Sequence, residues 1–193
     1  MNGVWPTLNK WHLVLSSLCF LVLCSCGLAD GQQLYTAAEK GDLAGVKAAL
    51  QKGALVDYYR GAKVLDLTIY RTPLQIAAAR GHLTVVKHLV ISGAKIDKAS
   101  KPARETPLMK ASAAGHVDIV KFLLSKGAKI DAQTKWGKTA LMWASQYGRM
   151  AVVDVLTRAG ADPTIKDNKG DTAQSLAKKP RPGRNQLKSL RKK

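Results

Sequence analysis

Between Thr106 and Asp131, apolar side chains return at helical intervals twice, with a polar break between the two runs. Leu108, Ala111 and Ala114 line one side of the first run, and alanines that small let a neighbouring helix come close. Val117, Ile119, Val120, Leu123 and Leu124 give the second run a broader apolar face. Thr106 is a good N-cap, and Pro107 suits the first helical position because its missing N–H is not needed there. Gly115 and Gly127 can take the left-handed backbone that ends each helix. The pattern predicts a helix, a sharp turn, a second helix and another turn. Such a pair cannot bury its apolar face alone, so similar units must flank it.

The chain supplies them. Thr72-Pro73-Leu74, Thr106-Pro107-Leu108, Thr139-Ala140-Leu141 and Thr172-Ala173-Gln174 follow one another at spacings of 34, 33 and 33 residues. Gly41, Gly81, Gly115 and Gly148 mark the turn inside each unit, and Gly53, Gly93, Gly127 and Gly160, each before Ala, end the second helix. These anchors in phase resemble the ankyrin repeat, whose first helix opens Thr-Pro-Leu-His-x-Ala and closes Ala-x-x-Gly-His. The resemblance implies an all-α repeat solenoid, a stack of helix–turn–helix–β-turn units over 34–193. It implies about four full repeats and a partial C-terminal cap.

The departures from the pattern are specific. Gln75, Met109 and Met142 stand where the motif has His, which removes a hydrogen-bonding side chain while sparing the fold. Gly41 and Gly81 are 40 residues apart, about seven more than one repeat, and the excess lies in 57–71. Val64, Leu65, Leu67, Thr68, Ile69 and Tyr70 there favour an extended finger. A tolerated surface insertion is the plain reading, since lengthening a loop is cheap. Its aromatic and apolar content favours a contact element. The last copy is interrupted by Pro180-Arg181-Pro182-Gly183 before Leu187 and Leu190, so 178–193 is expected to form a basic, degenerate capping helix.

Residues 1–26 read as a signal peptide, with Lys10 ahead of an apolar run of eleven residues from Leu13 to Leu23. That run is too short to span a bilayer and suits a secretory signal. Leu23-Cys24-Ser25-Cys26 resembles a bacterial lipobox, which implies lipidation at Cys26; cleavage after Ala29 is the alternative. A short linker over 27–33 would join leader and repeats. The expected location is outside the cytoplasm, in a bacterial cell envelope, lipid-anchored or periplasmic; a secreted eukaryotic protein is the other reading. Cys19, Cys24 and Cys26 are the three cysteines, so the repeats carry no disulfide or thiol chemistry.

Charge adds a bias in partner. The chain holds 31 Lys and Arg against 13 Asp and Glu, a formal +18. Residues 31–177 contain 22 basic and 12 acidic side chains, and the last sixteen residues add eight basic and none acidic. This excess suits an acidic or mixed protein surface, anionic lipid or an envelope polyanion. It would also suit nucleic acid, but export and the lack of an aromatic–basic platform argue for no nucleic-acid partner. The plain alternative is a charge that keeps an exported solenoid soluble near an acidic membrane.

No HExxH, CxxC, GxSxG or phosphate-cradling loop lies in the repeats, so an enzyme, a cofactor and a metal are not expected. His82 and His116 each follow a turn glycine at a structural position of the repeat, and Asp97, Asp118 and Asp131 recur as turn and surface residues. The family resemblance implies that turn tips and first-helix ends line a concave binding surface. On this chain those places hold Lys135, Trp136 and Lys138, then Gln146 and Tyr147, with Arg71, Arg80 and Glu105 in earlier copies. Trp136 leads, because a Trp in a polar turn has nothing local to pack on. Trp143 stands where other copies have Ile76 and Lys110; a position that accepts Lys should meet solvent, which would place Trp143 in the groove beside Trp136, with packing between repeats as the alternative. Tyr58 and Tyr59 open the finger. Val85, Val86, Leu89, Ile119, Val120, Leu123, Val152, Val153 and Leu156 are the expected core.

The sequence therefore predicts an exported, membrane-anchored, monomeric scaffold that binds a protein through a basic concave face. The alternative is an envelope structural or adhesive protein that holds anionic lipid or glycan with its basic C-terminus.

Overall fold

The computed structural model describes residues 30–64 and 67–178. Helix α1 covers 30–40 and pairs with α2 (Leu43–Gln51). A hairpin of β1 (Arg60–Val64) and β2 (Leu67–Arg71) follows. Then come α3 (Pro73–Arg80) with α4 (Leu83–Ile91), α5 (Pro107–Ala114) with α6 (Val117–Ser125), and α7 (Ala140–Gln146) with α8 (Met150–Arg158). Helix α9 (Ala173–Lys178) opens a further unit.

The first helices of successive units form one row, α3 on α5, α5 on α7 and α7 on α9, and the second helices form another, α2, α4, α6 and α8. Each opening is chemically specified. Thr72, Thr106 and Thr139 accept the amide of the third helical residue, and Pro73 and Pro107 begin their helices. Gly81 and Gly115, at φ 87° and 92°, turn the chain between the two helices in a conformation that disfavours other residues.

Between the two rows lies one apolar layer. Leu74, Val85, Val86, Leu89, Leu108, Ile119, Val120, Leu123, Val152 and Leu156 are all buried, and Val153 is half-buried beside them. Burial of such faces between neighbours is what holds a repeat stack together.

Polar ties run from each unit to the next. His82 Nε2 donates to the Glu39 carbonyl at 3.0 Å, His116 Nε2 to Ala79 at 3.2 Å, and Arg149 Nε to Ala113 at 3.2 Å. Asp57 accepts from the Lys95 amide, Asp97 from Lys129 and Asp131 from Asp162, at 3.1–3.2 Å. The turn tips are joined through backbone: Tyr70 with Lys101, Lys135 with Ala103, and Asn168 with Trp136. These carboxylates and imidazoles are thus occupied in stacking.

The excess in 57–71 is an antiparallel hairpin, paired from Arg60 opposite Arg71 to Val64 opposite Leu67. Its base is fastened to the following unit, since Tyr70 and Lys101 exchange backbone hydrogen bonds at 2.8 and 3.1 Å. Residues 30–33, assigned to the linker by sequence, are helical instead. The Tyr58 ring closes over Gly31, where a Cβ would come within 2.6 Å of it, and this contact ties that turn to the stack. The leader, Cys26 and all of the expected cap beyond Lys178 lie outside the described residues.

Candidate functional site

The row of first helices floors a groove of about 470 Å³, walled by Arg71, Arg80, Glu105, Lys110, Trp143, Tyr147 and Arg149. Ile76, Lys110 and Trp143 occupy the same position in α3, α5 and α7, and all three reach it. Helical spacing then puts Arg80 and Tyr147 one turn further along the same face. One register position thus presents an aliphatic, a cationic and an aromatic side chain in succession.

The Lys110 ammonium is not the solvent-facing group expected from sequence. Its side chain is 18 % exposed and pairs with Glu105, itself 14 % exposed. Burial pulls Lys110 below the usual lysine range; Glu105 opposes that shift, and Arg71 adds to it. A lysine is accepted here because a carboxylate from the preceding turn meets it, so the residue type did not report exposure.

Trp143 and Tyr147 stack with ring centroids 5.8 Å apart and planes 8° from parallel. Lys138 crosses above, its Nζ 4.9 Å from the Trp143 ring and 2.7 Å from Gln146 Oε1, to which it donates. Lys138, Trp143, Gln146 and Tyr147 therefore form one cluster, with an aromatic shelf beneath a cation. Trp136 is 49 % exposed and shares a second hollow of about 400 Å³ with Lys138, Trp143, Asp167 and Asn168. Lys135 is exposed at the same turn tip, its backbone fixed on both sides by Ala103 and Asn168.

Arg80 reaches across to Glu39 at 2.8 Å and remains 56 % exposed. Arg71 differs: its Nε is buried without an acceptor, and no carboxylate among the described residues pairs with it. The Trp143 indole N–H is likewise buried without a partner.

Tyr58 and Tyr59 stand apart from the groove. Tyr58 packs over Gly31, while Tyr59 donates to the Ala99 carbonyl at 2.8 Å beneath Lys98 and Lys101. Both are half-buried in the turn between units. Sequence reasoning also missed two residues. Gln75 retains the hydrogen bonding that loss of His was expected to remove: it completes the Thr72 capping box and donates to the Lys98 and Glu105 carbonyls, both at 2.7 Å. Arg149 follows a turn glycine, as His82 and His116 do, and that shared place was the available signal.

Among the described residues, no group of three or more His, Cys, Asp or Glu could hold a metal ion, and no helix is long and apolar enough to cross a membrane. A search of the curated proteins finds no match. A family model described as Ankyrin repeats (3 copies) matches residues 74–167, and the capped helical hairpins stacked within that span are ankyrin repeats.

Proposed function

We propose that this ankyrin-repeat stack is an exported, membrane-anchored scaffold that binds an acidic or mixed protein surface through its basic groove. The observation that carries the reading is the gathering of Arg71, Arg80, Lys110 and Arg149 around the Trp143–Tyr147 stack on one face. Desolvated aromatics supply most of the binding energy in such contacts, while the cations set encounter rate and salt dependence. The scaffold acts as a monomer, performs no chemistry and needs no cofactor. Its anchor would be a lipid on Cys26, in the leader-like segment.

Capture from envelope extract, with wild type beside a Trp136→Ala/Tyr147→Ala double variant, tests the groove. A partner recovered by wild type and lost from the double variant is the expected result. Equal recovery would remove the groove from the reading. Mass spectrometry of the mature N-terminus tests the anchor, with a diacylglyceryl-modified Cys26 expected.

A second reading rests on the eight basic and no acidic residues of the last sixteen. In it, the C-terminus holds anionic lipid or glycan and the stack is structural. Deletion from Lys178 onward would then abolish envelope association while the groove variant retains it.

A further inference from the structure

Four cations and one carboxylate line the main groove, and the carboxylate, Glu105, is already engaged by Lys110. Arg80 has Glu39, and Arg149 has the Ala113 carbonyl. Arg71 has no such partner among the described residues, and its Nε is shut off from water without an acceptor. An Nε–H held like this is unfavourable on its own, because its hydration is lost and nothing replaces it, while the terminal nitrogens of the same guanidinium are not shut off.

Two neighbours register its charge. Burial lowers Lys110 and Arg71 lowers it further, while at Tyr35 burial raises the phenol and Arg71 pulls against that rise. Arg71 thus projects positive potential into the groove, close to the Ile76–Lys110–Trp143 floor.

The geometry points to Arg71 as the carboxylate anchor of the groove, taking an Asp or Glu side chain of an acidic peptide segment whose apolar neighbours lie along Ile76 and the Trp143–Tyr147 shelf. This rests on the scaffold reading above and names the chemistry of its partner. A planar guanidinium binds a carboxylate through two parallel hydrogen bonds, which a lysine cannot reproduce. The charge balance of the groove selects the same class of ligand, since it offers cations and almost no free acceptor. Shelf and anchor together favour alternating acidic and apolar side chains over an all-acidic run.

The test uses the full chain and a fluorescein-labelled peptide of alternating Glu and Leu, with a Gln/Leu peptide of equal length beside it. Fluorescence polarisation gives affinity, and circular dichroism confirms that each variant is folded. The Glu/Leu peptide should bind wild type, lose about tenfold with Arg71→Gln, and bind Arg71→Lys between the two. The Gln/Leu peptide should bind wild type and Arg71→Gln equally weakly, and the preference of wild type for Glu/Leu over Gln/Leu remains readable if a variant folds poorly. Lys87→Gln, exposed on α4 and not among the groove residues, should leave binding unchanged.

Equal loss with Lys87→Gln and Arg71→Gln would overturn the anchor in favour of diffuse charge. Equal affinity for the two peptides, or no binding to wild type, would overturn it too. So would Arg71-dependent binding of phosphatidylserine vesicles with none of the peptide. Any of these leaves the partner-capture experiment, which does not use Arg71, to decide the scaffold reading separately.

Discussion

His116 donates from Nε2 to the carbonyl of Ala79 at 3.2 Å, and its ring lies against Gly81, where a Cβ would come within 2.6 Å of Cε1. The end of one unit's first helix is therefore capped by a side chain of the next. His82 stands over Gly41 in the same way, and Arg149 over Gly115. The glycine serves two needs: left-handed backbone and room for the neighbour.

Comparing two glycines separates those needs. Gly81 and Gly93 have φ of 87° and 89°, but nothing lies within 4 Å of a Cβ at Gly93. Gly93→Ala should lose ~1 kcal/mol for the backbone alone. Gly81→Ala should lose roughly 1–2 kcal/mol more, through displacement of the His116 ring. Urea midpoints measure both, and in a double-mutant cycle His116→Ala should remove most of the excess at Gly81.

Gln75 is fully buried, with its side-chain amide serving Thr72, Lys98 and Glu105. Gln75→Ala strands those groups and should destabilise by ~2–4 kcal/mol. Gln75→Met, the residue type found at Met109 and Met142, keeps the volume and should lose less. Urea denaturation ranks the two, and hydrogen exchange at the Thr72 amide should accelerate in both.

Lys110 gives a pH signature. Its pKa lies below 10.5 in the folded state, mainly because burial disfavours the ammonium. Between that lowered value and 10.5 the unfolded chain binds more protons at this site, so Lys110's contribution to stability improves as pH rises. Lys110→Met lacks this term. The urea midpoint of wild type relative to Lys110→Met should therefore climb through that window and level off above it. Glu105→Gln should steepen the effect, because Glu105 is the group that holds the ammonium charged.

Core and groove should separate cleanly in a pair of alanine variants. Leu123 is fully buried, and Leu123→Ala should lose ~2–5 kcal/mol. Trp136→Ala should stay within about 0.5 kcal/mol of wild type while weakening partner recovery. Thermal melts beside the capture experiment check both halves.

The stack was legible in the sequence because its anchors are local demands. Thr106 before Pro107, or Gly115 after Ala114, is required by the helix it opens or ends, whatever the partner unit does. The groove was legible less evenly. Lys138, Trp143, Gln146 and Tyr147 meet because helical spacing and one turn bring them together, and both can be counted along the chain. Lys110 misled because its environment is set by Glu105, across a turn whose geometry no periodicity reports. Gln75 looked like a loss at a motif position, and only the neighbouring carbonyls of Lys98 and Glu105 reveal what it does. Tyr58 looked available because the helix containing Gly31 was expected to start later, and Tyr59 because its acceptor, the Ala99 carbonyl, lies in the next unit.

Ile76, Lys110 and Trp143 repeat one address in three adjacent helices, yet each offers a different chemistry. A bound strand would consequently meet oil, charge and ring in a fixed sequence and could not lie down backwards with equal success. The stacking that orders these helices gives the groove polarity, so a ligand of the right composition in reversed order would be a poor substitute.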